Sequence, residues 1–255
     1  MKTNSFLPSL TKHHATKLAS AMFCASCFLA SVTSAFGQLF GTNLIQNGDA
    51  EQGAASPDGS ALVPIPGWTT TDNFNVISYS SGQGWPVASD PGPADRGNNL
   101  FVGGRPSALS TATQKVSISS WAATVDGVGV TYNLSAWLGG YSSQLDNAVL
   151  EARFIGSEGL ISGATIGPVL PADRSGVTSL IFRETSGVIP QGTRDIEFVL
   201  TATRLAGSDN DGYADNLSFT ANAVPEPESY AAFAAVCALG FATWRKLRPT
   251  KCKVA

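Results

Sequence analysis

Ile196-Glu-Phe-Val-Leu-Thr-Ala-Thr203 places an apolar residue at every even position and Glu197, Thr201 and Thr203 at three of the four odd ones. A period of two is the pattern of a strand with one buried face. Working outward, short β-branched or alternating runs recur at 43–46, 75–79, 99–102, 112–118, 130–138, 148–155, 177–183 and 214–220, separated by clusters of Gly, Pro, Asn, Asp and Ser. Asp126-Gly127 and Asp211-Gly212 supply turn chemistry between them. No stretch between the two ends of the chain carries a sustained 3.6-residue apolar stripe with capping residues. The pattern predicts an all-β, antiparallel β-sandwich of jelly-roll type over residues 38–223, a length that can bury one good core.

The two ends of the 255-residue chain read as targeting segments. Lys2, Lys12, His13, His14 and Lys17 form a basic leader, and an uncharged apolar run follows at 18–36. Small residues Ala35 and Gly37 flank Phe36 in an A-x-G arrangement. Residues 1–37 are therefore expected to be a signal helix removed before Gln38, with cleavage after Ala35 the close competitor. At the other end, Val224-Pro-Glu-Pro-Glu-Ser229 precedes an uncharged Ala-rich run at 230–244 and a basic end of Arg245, Lys246, Arg248, Lys251 and Lys253. A helix of roughly 15 residues at about 1.5 Å rise covers only part of a ~30 Å hydrocarbon core. Residues 224–255 thus predict a marginal C-terminal transmembrane helix stopped by cytoplasmic Lys and Arg.

With the ends set aside, the domain contains no His and no Cys, since Cys24, Cys27, Cys237 and Cys252 all lie in the end segments. That inventory excludes Ser-His-Asp and Cys-His nucleophiles, the usual zinc sites and a disulfide framework. Residues 38–224 carry 17 Asp plus Glu against 8 Lys plus Arg, a net charge near −9. An acidic surface repels phosphate backbones, so nucleic acid is not an expected partner.

The motif, apolar helix and basic end of the tail resemble the PEP-CTERM sorting signal of Gram-negative bacteria, with Pro225, Glu226 and Pro227 as its signature. The resemblance implies recognition by an exosortase, transient anchoring in the inner membrane and delivery to the cell surface or the extracellular matrix. Such a tail is also known as an ice-binding protein C-terminal domain, but it is an address shared by unrelated passengers and says nothing about their ligands.

Asn43-Leu-Ile-Gln-Asn-Gly48 with Glu51, then Pro66-Gly-Trp68, and finally Tyr213-Ala-Asp-Asn-Leu-Ser-Phe219 resemble the galactose-binding-like jelly roll of carbohydrate-binding modules and extracellular anchor proteins. Ala50 departs from that pattern, which commonly has an aromatic residue there. In such folds the first and last strands lie side by side. The resemblance therefore implies that Glu51, with Asp49, meets Asp215 to form an oxygen-rich site for a structural Ca²⁺. The alternative is that Asp49 and Glu51 are solvated turn residues and Asp215 a strand-edge acid. Asp209-x-Asp211-Gly212 lacks the ligand order of an EF-hand loop and reads as a turn.

Aromatic rings offer flat faces to sugars, and Trp85 and Tyr141, in loop-like sequence, are the candidate ligand-binding residues. Trp68 and Trp137 read as packing. A glycoside hydrolase using paired acids such as Asp146 with Glu151, or Glu184 with Glu197, is the one enzyme class left readily open, and no spacing selects a pair. The expected function is a non-catalytic, exported module that binds extracellular polysaccharide. The alternatives are a structural or adhesive biofilm-matrix protein without a ligand pocket and, third, a secreted glycosidase.

Overall fold

The computed structural model describes residues 40–224, together with 235, 237–239 and 241. The predicted signal peptide at 1–37, the sorting residues Pro225, Glu226 and Pro227, and most of the apolar tail lie outside the described residues. Among the described residues no helix is long and apolar enough to cross a membrane. The chain divides into two units, Met1–Thr42 and Asn43–Ala255. Of the first only residues 40–42 are described, and the fold set out here is that of the second.

Ten strands follow one another: β1 (Thr69–Thr71), β2 (Asn75–Ser78), β3 (Asn99–Gly104), β4 (Leu109–Ser117), β5 (Val130–Gly140), β6 (Asn147–Gly156), β7 (Gly159–Ile166), β8 (Ser179–Val188), β9 (Asp195–Thr203) and β10 (Asn210–Ala223). They form two five-stranded sheets in the orders β1-β4-β9-β6-β7 and β2-β3-β10-β5-β8. Every strand pairing is antiparallel. From β3 onward the chain crosses repeatedly between the sheets, so β3, β5, β8 and β10 share one and β4, β6, β7 and β9 the other, which is the jelly-roll arrangement.

The alternation that predicts β9 is the one that packs it: Ile196, Phe198, Leu200 and Ala202 are all buried. They meet Leu150, Ala152 and Phe154 of β6 and Leu134, Ala136 and Leu138 of β5 in the space between the sheets, where all six are buried as well. Phe219 of β10 is the hub of this layer. Its ring centroid lies 5.2 Å from Phe198, 5.3 Å from Tyr132 with the planes stacked at 11°, and 6.4 Å from Phe154.

Three features differ from the sequence expectation. Residues 43–46 form no strand and make a single antiparallel bridge, Asn43 to Thr220, because the Asn43 side chain takes backbone partners that a ladder would otherwise hold. β1 is three exposed threonines held by β4 and by a 2.8 Å hydroxyl contact between Thr71 and Thr111, so it owes its place to tertiary pairing rather than to its pattern. β7 is an edge strand whose Leu160 and Ile161 face solvent, and it shows no alternation for a sequence reading to detect. Helix is confined, among the central described residues, to a 3₁₀ turn at Ser119–Trp121 and a short helix at Ala122–Asp126.

Side chains of opposite parity on the β2-β3-β10-β5-β8 sheet point away from the inter-sheet core. Ile77, Leu100, Val102, Leu180 and Tyr213 are nevertheless buried, because Tyr79 and Trp85 from the following loop fold over them as a second apolar layer. This cover ends partway across the sheet, and the remainder of the outer face is open.

Candidate functional site

The open part of that outer face begins at a pair of aromatic rings. Trp137 on β5 and Phe182 on β8 are direct cross-strand partners. Their centroids are 5.8 Å apart with the ring planes at 60°. Trp137 packs half-buried against the edge of the second apolar layer, while Phe182 is 43% exposed. The two rings line a groove of ≈ 490 Å³ together with polar residues that include Asn43, Asp95, Asn216 and Ser218. Asn216 Nδ2 donates to Asp95 Oδ1 at 2.9 Å on its rim. Along the same face lie Ser135, opposite Glu184, and Asn133, whose amide donates to Glu184 Oε2 at 3.2 Å.

A break in β10 shapes this groove. The ladder between β10 and β5 shifts register between Asp215 and Ser218, and Asn216 takes a left-handed φ of 48°. The freed backbone of Leu217 is taken up by the first segment of the domain: Leu217 N donates to Gly48 O at 2.8 Å and Asn43 Nδ2 donates to Leu217 O at 2.9 Å. Asn43 Oδ1 in turn accepts from Phe219 N at 2.9 Å. Gly48 is required at this approach, because a Cβ there would collide with the Leu217 carbonyl oxygen. Asn47 Nδ2 donates to Pro66 O at 3.0 Å, and Trp68 Nε1 donates to Asn47 O at 3.3 Å. The first of the three sequence elements that carry the jelly-roll resemblance is thus in contact with each of the other two. Ala50, the departing position, is buried with φ of 57°.

Asp49, Glu51 and Asp215 do share one neighbourhood. Burial pushes the Asp215 carboxyl up to about 7, opposed by hydrogen bonds from the Tyr79 hydroxyl and the Asn216 amide and reinforced by the negative charges of Glu51 and Asp49. Tyr79 Oη donates to Asp215 Oδ2 and Asn216 N to Asp215 Oδ1, both at 2.7 Å. Glu51 Oε1 accepts from the backbone amides of Asn98 and Asn99, each at 2.7 Å, and Glu51 Oε2 from Asn98 Nδ2 at 3.2 Å. The cluster has the uncompensated negative charge that a cation would relieve, but each of these four oxygens already accepts a hydrogen bond. Among the described residues no group of three or more His, Cys, Asp or Glu is arranged to hold a metal ion.

Trp85 does not present a ring to solvent, contrary to its reading as a loop platform. It is 3% exposed, edge-on to Tyr213 at 6.3 Å, with the Arg105 guanidinium over its face at 4.9 Å. The loop that carries it is folded down onto the sheet, so its large apolar surface is spent on packing. Tyr141 is half-buried and lines a different, smaller cavity. Trp137, read from sequence as core, is instead the floor of the groove. Its odd position opposes the even Leu134, Ala136 and Leu138 that fill the core, so the alternation itself held that signal. Phe182 carries none beyond lying in a strand.

The acid pairs considered for glycoside hydrolysis do not converge. Glu184 lies on the outer face of one sheet and Glu197 on the outer face of the other. Glu151 and Glu197 are both bound by Arg153, at 2.9 and 3.3 Å. Asp146 is fully buried and accepts from the backbone amides of Leu205, Ala206 and Asp211.

No protein-family model matches the chain, and no curated protein matches it. Among solved structures it is similar to a Family 16 Carbohydrate Binding Module-2, at 18% identity and a TM-score of 0.45, over 70% of this chain and 99% of that one. It is also similar to a cyclase from Fischerella sp. TAU, at 11% identity and a TM-score of 0.47, over 72% of this chain and 99% of that one. A third is the C-terminal family 22 carbohydrate binding module of Clostridium thermocellum Xyn10B, at 14% identity and a TM-score of 0.35, over 69% of this chain and 96% of that one. Binding modules and an enzyme stand side by side at this distance, so the likeness assigns no activity.

Proposed function

We propose that the protein is a non-catalytic, exported β-sandwich that binds polysaccharide along the open outer face of the β2-β3-β10-β5-β8 sheet. The observation that carries this reading is the Trp137–Phe182 pair, which leaves an aromatic ring exposed at the floor of a groove whose rim is made of amides, hydroxyls and carboxylates. Sugar rings offer apolar C–H faces and a periphery of hydroxyls, which is the complement of such a surface. The groove is open rather than enclosed by protein, which suits a chain entering and leaving at both ends.

Export, exosortase sorting and surface or matrix localisation belong to the same proposal and draw on the leader, on Pro225, Glu226 and Pro227, and on the basic end. Calcium enters it on charge alone: Asp49, Glu51 and Asp215 are not arranged as a ligand set, so Ca²⁺ would have to displace the hydrogen bonds that Glu51 and Asp215 accept before it could cross-link the first segment to β10. An adhesive matrix role without a ligand pocket is the second reading, favoured by the exposed Leu160 and Ile161 on the unpaired edge of β7. The test is retention on the host's own extracellular polysaccharide. Retention that is lost in Phe182→Ala supports the module, and no retention by the intact protein moves the assignment to the adhesive reading.

A further inference from the structure

A second cavity, of ≈ 200 Å³, lies away from the groove, between the turn after β5 and the turn before β10, with Gly84 at one side. Its walls are fixed from behind. Arg174, 3% exposed, donates to the carbonyl oxygens of Gln144 at 2.6 Å and Val177 at 2.8 Å, and to that of Ser142, which holds the turn carrying Tyr141 and Gln144. Asp146 gathers the opposite turn through the amides of Leu205, Ala206 and Asp211, at 2.7, 2.8 and 3.1 Å. A cavity whose lining is held this way is preorganised for a ligand.

Its lining sets acceptors beside the hydroxyls of Tyr141 and Ser208. Asp211 is 6% exposed; its Oδ1 accepts from the Tyr213 hydroxyl at 2.7 Å, and its Oδ2 accepts no hydrogen bond among the described residues. Gln144 Oε1 is a buried oxygen without a hydrogen-bond partner. Buried polar groups are rarely left unpaired, and the Gln144 oxygen beside the free Asp211 Oδ2 calls for a donor. Asp209 is occupied, bound by Arg105 at 2.7 Å and by the Ser208 hydroxyl at 3.1 Å. Asp58, Asp146, Asp209 and Asp211 face Arg105 and Arg174, which leaves the neighbourhood negative.

We propose that this cavity binds a primary ammonium group carried on a sugar ring. An ammonium has three N–H donors and no acceptor, and its positive charge is opposite in sign to that of the neighbourhood. A metal ion is disfavoured because the lining carboxylates are largely taken, Asp209 by Arg105 and Ser208 and Asp211 Oδ1 by Tyr213. Tyr141 supplies a flat wall, and Gly84 and Gly207, bare of side chains, let a ring come close; the space suits one ring and not an oligomer. This site is separate from the groove and does not depend on it.

Calorimetric titration of the protein with glucosamine, N-acetylglucosamine and n-butylamine tests the assignment. Glucosamine is expected to bind at least about tenfold more tightly than either control. Asp211→Asn and Gln144→Leu are each expected to weaken that binding about tenfold or more. Gln144→Leu serves as the second variant because Asp211 also holds Tyr213. No binding of glucosamine, equal binding of N-acetylglucosamine, or binding unmoved by both cavity variants would overturn the assignment. Butylamine binding as tight as the amino sugar would overturn the ring.

Discussion

Trp137 and Phe182 face each other across β5 and β8 with ring centroids 5.8 Å apart, on the side of the sheet turned away from the core. One ring is anchored against the second apolar layer and the other stands 43% exposed. An exposed aromatic supported by a packed one is a binding surface that costs the fold little to keep.

Replacing Phe182 by Ala is therefore expected to separate binding from stability. Its exposed ring contributes little to the core, so the urea midpoint should move by the equivalent of about 1 kcal/mol or less. Chemical denaturation of the variant beside the intact protein checks this.

Trp85→Ala is expected to behave in the opposite way. The ring fills the second layer against Tyr213 and under Arg105, and its indole N–H donates to Asp58 O at 3.3 Å. Truncation of a buried Trp costs roughly 3–5 kcal/mol. Polysaccharide affinity per folded molecule should be unchanged, and a selective loss of affinity with normal stability would restore Trp85 as a ligand platform.

Stability should fall as pH rises through the neutral range. Burial holds Asp215 up to about 7 and Asp211 to about 6, above the ordinary carboxyl value of 3.8. The native state thus keeps protons that the unfolded chain has released, so this stabilisation is complete below pH 3.8 and is lost as pH climbs through about 6 and 7. The slope is bounded by ~1.4 kcal/mol per pH unit for each group. Urea midpoints at pH 5 and pH 8 in the presence of a chelator measure it, and Asp215→Asn should flatten the upper part of the curve.

Added Ca²⁺ should stabilise the fold by about 2.7 kcal/mol at a hundredfold excess over Kd, and so raise the melting temperature, if the charge of Asp49, Glu51 and Asp215 is relieved by the ion. Glu51→Gln should remove that rise. No shift in the intact protein would confine the three acids to the hydrogen bonds they make with Tyr79, Asn98, Asn99 and Asn216.

The core of the sandwich was legible because it obeys a local rule: the even residues of β9, and Leu134, Ala136 and Leu138 of β5, are apolar in sequence and buried in the fold. The junction of the first segment with β10 was legible only through resemblance, since nothing local joins Gly48 to Leu217 across the whole length of the domain. β1 and β7 were not legible, because an edge strand need not alternate when one of its sides has nothing to bury. The site was misread for a related reason. A Trp in loop-like sequence suggests exposure, yet Trp85 is carried back onto a sheet whose outer face is itself apolar. Trp137 lies in a strand and suggests burial, yet its parity sets it on the outside. Composition describes what a side chain can do; the face it occupies decides whether it does so.

The most direct test of the central claim is the affinity of the intact protein and of Phe182→Ala for the host's extracellular polysaccharide, measured at equal folded concentration. The account predicts at least about a tenfold loss, ~1.4 kcal/mol, in the variant with its melting temperature unmoved. Equal affinity of the two proteins would contradict it and remove the outer face as the binding surface.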